Sequence, residues 1–156
     1  MASKPDLNLE HHSLLRNRAV LYLEKWIGHF YLWAGDDPSG FDCSGLIVEV
    51  LQSVGLVRHG LDMTADTLYR KFKDRKRDQG YKGCLVFWLD SARKRAVHVE
   101  MMVDEHHTVG ASGGGSKTKT IADAVRDNAF VKMRPLGYRG LNYRICDPFA
   151  ISRGGG

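Results

Sequence analysis

An α+β fold is what this sequence predicts, with helices gathered in its first half and strands in its second. Apolar residues recur at helical spacing through the N-terminal half. The period shortens to two between residues 83 and 112, which is the mark of strands. Helices followed by a run of strands, with no long linker and no internal repeat, give a mostly antiparallel sheet with helices packed on it.

The first helix is expected from Leu9 to Ile27, where Leu15, Ala19, Tyr22, Leu23, Trp26 and Ile27 share a face and Gly28 closes the helix. A loop rich in Gly, Asp, Pro and Ser follows from Gly35 to Gly40. The second helix runs from Cys43 to Val54. Its stripe is Cys43, Leu46, Ile47, Val50, Leu51 and Val54; Asp42 is a good N-cap and Gly55 a good stop. A shorter helix spans Thr64 to Phe72, with Thr64 as its cap.

Gly83 to Leu89 and Ala96 to Val103 are strand candidates. In the latter, Val97, Val99, Met101 and Val103 form the core face, so His98 and Glu100 point the other way. Asp104 to His107 turn the chain and Thr108 to Ser112 return as a hairpin partner. A tip at Glu105 and His106 pairs His98 with Gly113 and sets Ser112 beside the imidazole. Gly113 to Ser116 is a flexible loop, Ile121 to Asn128 a short helix, and Phe130 to Arg134 and Asn142 to Ile145 the last strands. One domain over residues 1–153 is expected, with Gly154-Gly155-Gly156 as a flexible tail.

With 43% hydrophobic and 26% charged residues in 156, the composition is that of a soluble globular domain. No apolar run reaches membrane-spanning length. The N-terminus lacks the basic-then-apolar pattern of a signal peptide, so synthesis in a cytoplasm without a cleaved signal is expected. The net charge of +5 leans towards anionic partners. No Phe/Tyr pairs alternate with the basic clusters at 70–77 and 93–95 as a base-stacking platform needs, so nucleic acid is not expected. Cys43, Cys84 and Cys146 are odd in number and widely spaced, which argues against a disulfide framework and against a zinc site. The pairs His11-His12 and His106-His107 have no second ligand cluster, and neither metal nor other cofactor is expected.

Cys43 stands out because it opens a helix. The dipole there favours thiolate by up to ~2 kcal/mol, too little for full activation of a thiol without a base. His98 is the candidate base. Read alone, a cysteine on an apolar stripe is a small core residue and a strand histidine a surface residue.

The run Tyr31-Leu32-Trp33-Ala34-Gly35, followed by Gly40-Phe41-Asp42-Cys43-Ser44-Gly45-Leu46, resembles the nucleophile region of the NlpC-type family. These are papain-like cysteine endopeptidases that cut bacterial peptidoglycan. Gly83-Cys84-Leu85-Val86-Phe87 and His98-Val99-Glu100-Met101-Met102-Val103 fall where the family's later blocks do. The resemblance implies a papain-like fold with Cys43 as nucleophile and His98 as general base. It implies an oxyanion site made by the Cys43 N–H and the Tyr31 hydroxyl, and a stem-peptide subsite at Asp42 and Ser44, where Asp42 pairs a free amine. Tyr31 could equally pack on Trp33, and Asp42 could be only a cap.

The chain departs from the family pattern twice. Cys84 stands where the family has Asp and reads as a strand residue. Gly110 stands where the family places its third polar residue, which leaves Ser112, Glu100, a backbone carbonyl or water to orient the imidazole. Of these, Ser112 is the candidate that the expected register favours. The resulting expectation is hydrolysis of a stem-peptide bond, D-glutamate to diamino acid, by a phage lysin, a tail-associated enzyme or a secreted effector acting at the cell wall or in a virion. Peptidoglycan is the expected partner, with phage tail or baseplate proteins as others. The rivals are an amidase, thioesterase or acyltransferase on the same scaffold, and a binding module without catalysis.

Overall fold

The computed structural model describes residues 7–37, 40–61 and 63–150; the Gly154–Gly156 tail lies outside them. Helix α1 (Leu7–Lys25) leads into a short hairpin of β1 (Asp36–Asp37) and β2 (Gly40–Phe41), where a plain loop was expected. Helices α2 (Cys43–Ser53) and α3 (Ala65–Phe72) follow, then a 3-10 turn at Lys73–Arg75. The rest of the chain is β3 (Lys76–Arg77), β4 (Leu85–Leu89), β5 (Ala96–Met102), β6 (His107–Ser112), α4 (Ile121–Asp127), β7 (Phe130–Pro135) and β8 (Tyr143–Cys146). Six of the strands make one sheet in the order β3-β8-β4-β5-β6-β7, each pair antiparallel. This is the α+β arrangement read from the sequence. Among the described residues no helix is long and apolar enough to cross a membrane.

The helices start where the caps predict. Asp42 accepts the Gly45 N–H, and Thr64 accepts the Thr67 N–H. Helix α1 ends at Lys25, so Ile27 leaves the predicted stripe and is 40% exposed. Leu46, Ile47, Val50 and Leu51 of α2 are wholly buried with Ala19 and Leu23 of α1 and with Phe87, Val99 and Met101 of the sheet. A fully buried aliphatic or aromatic side chain contributes ~1.5–3 kcal/mol, so this layer anchors α2 firmly. The opposite face of the sheet is closed by a smaller cluster of Cys84, Val86, Trp88, Met102 and Ile145.

Two features of β5 differ from expectation, and both shape the site. The register against β4 shifts between Trp88 and Leu89, which face His98 and Ala96, so Val97 has no opposite number. Such a bulge turns the extra side chain outward, and Val97 is 54% exposed instead of lying in the core. The β5–β6 hairpin is also displaced by one residue, with Met101 opposite Val109 and Met102 opposite Thr108. The Asp104 carboxylate accepts the N–H groups of His106 and His107, at 2.7 and 2.8 Å, so the turn centres on Glu105 alone. Extending that register sets Gly110 against Glu100 and Ser112 against His98, which removes the expected His98–Gly113 pairing.

Candidate active site

Cys43 is the first residue of α2, and its position follows from the tight turn before it. Asp42 is extended (φ −87°, ψ 179°), and its Oδ1 accepts the Gly45 N–H at 2.6 Å and the Ser44 hydroxyl at 3.4 Å. Gly45 must be glycine: a Cβ there would lie 2.0 Å from the Gly35 carbonyl oxygen and 2.8 Å from Asp42 Oδ1. The same turn opens a cleft of about 590 Å3 lined by Tyr31, Trp33, Asp42, Cys43, Ser44, Met63, Thr64, Asp66, Arg95 and Val97. Among the candidate site residues, Tyr31, Asp42, Cys43 and Ser44 thus share one cavity.

The Cys43 thiol meets the backbone N–H of Val99, the neighbour of His98 on β5. Burial, then the Asp42 charge, push this thiol up to about 11; the N–H groups of Val99 and Ser44 and the Arg139 charge oppose the shift without cancelling it. The resting residue is therefore a thiol, and the helix start does not by itself make it a thiolate. Tyr31, 5% exposed, has its hydroxyl raised by burial and then by Cys43 and Asp42. Its ring lies on Gly114, where any side chain would overlap it.

His98 is 4% exposed and its ring centroid lies 5.6 Å from that of Trp88, so the face opposite the main core is not a solvent face. The imidazole Nε2 stands 2.7 Å from Glu100 Oε2. Glu100 has no exposure, and its carboxylate also accepts the Thr108 hydroxyl on Oε1 and the Tyr138 hydroxyl on Oε2, each at 2.7 Å. Burial alone would raise Glu100, but His98, Tyr138 and Thr108 together bring it below its ordinary value. Burial lowers His98, against the upward pull of Glu100. Both directions describe an ionised carboxylate beside a neutral imidazole, with the ring proton on Nε2 and the lone pair on Nδ1.

Ser112, the expected orienter, does not hold the ring. Its hydroxyl lies 3.0 Å from that of Tyr138, whose own proton goes to Glu100. Tyr138, Thr108 and Arg139 were not singled out in the sequence, and nothing local marks them. The Arg139 charge bears on Tyr31, Cys43 and His98 alike, which places all three around one end of the sheet. Cys84 and Cys146 are wholly buried, with thiols raised to about 11 and about 12 mainly by burial. Among the described residues no group of three or more His, Cys, Asp or Glu could hold a metal ion.

Residues 28–135 match the sequence model of the NlpC/P60 family. No curated protein matches. Among solved structures, an NlpC/P60 family protein from Bacillus cereus superposes with a TM-score of 0.68 at 20% identity, over 86% of this chain and 40% of its own. The chain thus spans less than half of that relative. The peptidoglycan hydrolase RipB from Mycobacterium tuberculosis gives 0.67 at 16% identity, over 96% of this chain and 74% of its own. RipD from the same organism, a non-catalytic NlpC/p60 domain protein adapted to peptidoglycan binding, gives 0.61 at 18% identity, over 84% and 95%.

Proposed function

We propose, since the chain belongs to the NlpC/P60 family of peptidoglycan hydrolases, that it cleaves a peptide bond in peptidoglycan stem peptides through a Cys43 acyl-enzyme. The observation that carries the reading is the placement of the Cys43 thiol at the N-terminus of α2, on the cleft wall and against β5 next to His98, whose Nε2 is already engaged by a carboxylate. A thiol and a neutral imidazole define the order of events. The Sγ–H proton passes to His98 Nδ1 as sulfur attacks the scissile carbonyl. The oxyanion lies between the Cys43 N–H, which has no intrahelical acceptor, and the Tyr31 hydroxyl. The imidazolium then protonates the leaving amine, and water resolves the acyl-enzyme by the reverse route. Asp42, on the cleft wall, receives the amine of the stem peptide, with Ser44 beside it. The bond expected on this reading joins D-glutamate to the diamino acid.

Digestion of purified peptidoglycan by the chain and by Cys43→Ala, followed by mass spectrometry of soluble fragments, tests the reading. New peptide termini with the chain alone support it. The second reading, a binding module, is favoured by the fold shared with non-catalytic RipD and by the raised Cys43 thiol. Co-sedimentation with peptidoglycan and no released fragments would select it.

A further inference from the structure

We propose that Glu100 is the positioning residue of His98, and that position 110 is glycine because Glu100 fills the space a side chain there would take. The inference rests on the reading of Cys43 and His98 as a nucleophile–base pair. Its geometric basis is independent of substrate. Glu100 comes from the histidine's own strand, two residues on, and Gly110 lies on the neighbouring β6. A Cβ at 110 would stand 2.3 Å from Glu100 Cγ and 2.8 Å from Cδ, well inside any tolerable contact. The carboxylate and a side chain at 110 therefore exclude one another. Sequence alone leaves Gly110 looking like a lost catalytic group. In the fold the vacancy is already occupied.

The carboxylate is built in rather than incidental. It is fully buried and takes three donors, from β5 (His98), β6 (Thr108) and the β7–β8 loop (Tyr138). A buried ionised carboxylate survives only with such partners. Its hold on Nε2 fixes one tautomer and leaves Nδ1 as the base, which is the duty of an orienting residue. Such a carboxylate also stabilises the imidazolium formed during attack, which a neutral amide or hydroxyl does less well. The charged and titratable groups around it are His98, Tyr138, Lys132 of β7, and, acting on His98, Arg139.

Glu100→Gln is the decisive variant. It keeps the volume, and the Thr108 hydroxyl can reverse to accept from the new amide, so the fold is expected to persist. Nitrogen-15 NMR of the His98 ring reads the effect without any substrate. We expect the Nε2-protonated tautomer in the native chain, and the same tautomer with a lower imidazole pKa in Glu100→Gln, because the amide oxygen still accepts the Nε2–H but carries no charge. On a defined stem peptide, kcat should fall by about 10²–10⁴-fold with KM little changed. The acid limb of the pH–rate profile should move to lower pH, because the group that raises His98 is gone. Gly110→Asn alone should be impaired, and Glu100→Ala combined with Gly110→Asn should recover part of the loss by restoring a polar partner from β6. An unchanged His98 imidazole pKa in folded Glu100→Gln would overturn the proposal, as would a native chain whose ring proton sits on Nδ1, or a Gly110→Asn chain as active and stable as the native one. If the native chain cleaves no stem peptide, the enzymatic reading fails, while the NMR result still decides whether Glu100 positions the ring.

Discussion

Cys43 and its two fellow cysteines differ in what surrounds the sulfur, and their chemistry should differ accordingly. Cys84 and Cys146 are sealed in the interior, whereas Cys43 opens on the cleft. Iodoacetamide followed by peptide mapping should modify Cys43 alone in the folded chain. With its thiol near 11, the labelling rate at pH 7 should be low and should climb about tenfold per pH unit up to about pH 10. Rapid labelling at neutral pH would instead reveal a preformed thiolate–imidazolium pair. Cys43→Ala should abolish hydrolysis with little change in Tm, while Cys84→Ser and Cys146→Ser should keep activity and lose stability through buried hydroxyls. Specificity is testable at the same scale. If Asp42 receives the stem-peptide amine, N-acetylated peptides should be cut more slowly than free ones, by the roughly 1.5–3 kcal/mol of a charged hydrogen bond. Equal rates would leave Asp42 as a helix cap only.

The start of α2 concentrates most of the local constraint. Asp42→Ala should cost ~1 kcal/mol through the lost cap. Gly45→Ala is predicted to be worse, since the added methyl collides with the Gly35 carbonyl and the capping oxygen, and backbone cannot yield cheaply. Overpacking of this kind costs ~1–3 kcal/mol. It should also displace Cys43, so activity should fall by more than the loss of folded protein explains. Urea melts paired with kinetics on the folded fraction separate the two effects; a Gly45→Ala chain with native stability would show that the turn relaxes. On β5 the deciding feature is the bulge. It brings Ala96 onto the core side and turns Val97 out to the cleft.

Across the whole molecule, one half-buried ion pair ties the first helix to the end of the last strand, with Asp147 sealed in and Arg16 reaching partly to solvent. Arg16 donates to both Asp147 oxygens, at 3.1 and 2.9 Å, and Asp147 also accepts the Tyr81 hydroxyl and the Phe149 N–H. Removing one partner of a fully buried pair costs ~3–5 kcal/mol, and less where one partner reaches solvent, so Arg16→Met, which strands the buried carboxylate, should lower Tm most and Asp147→Ala somewhat less. A Tm shift within a degree or two for Asp147→Ala would show that the latch is dispensable. Stability should also depend on pH in two stages. His98 is depressed by burial, so its contribution is complete above about pH 6.5 and is lost as pH falls from there towards its folded value. Asp147, which burial would raise, is brought down by Arg16 and Tyr81, and Glu100 is likewise depressed by its partners; their contributions fade only as pH falls below about 4. Tm measured from pH 8 to pH 3 should therefore decline twice, and His98→Gln should remove the upper decline alone.

What could be read along the chain was what near neighbours fix. The cap, stripe and stop of α2 and the longer strand blocks were legible, because helix period, capping and turn chemistry act over a few residues, whereas Cys43 and His98 stood out as a pair through the family resemblance. Tertiary structure decided what those residues face. The hairpin register turned on one carboxylate, Asp104, closing the turn around Glu105, and a one-residue difference there sets Ser112 rather than Gly113 opposite His98 and brings Gly110 opposite Glu100. The bulge at Val97 depended on how β4 meets β5. Tyr138 reaches Glu100 from a loop beyond two further strands, and no spacing rule links them. Gly110 shows the limit most plainly: a missing side chain is read from sequence as a lost function, but the volume it leaves, and the buried carboxylate that fills it, exist only once β5 and β6 lie side by side.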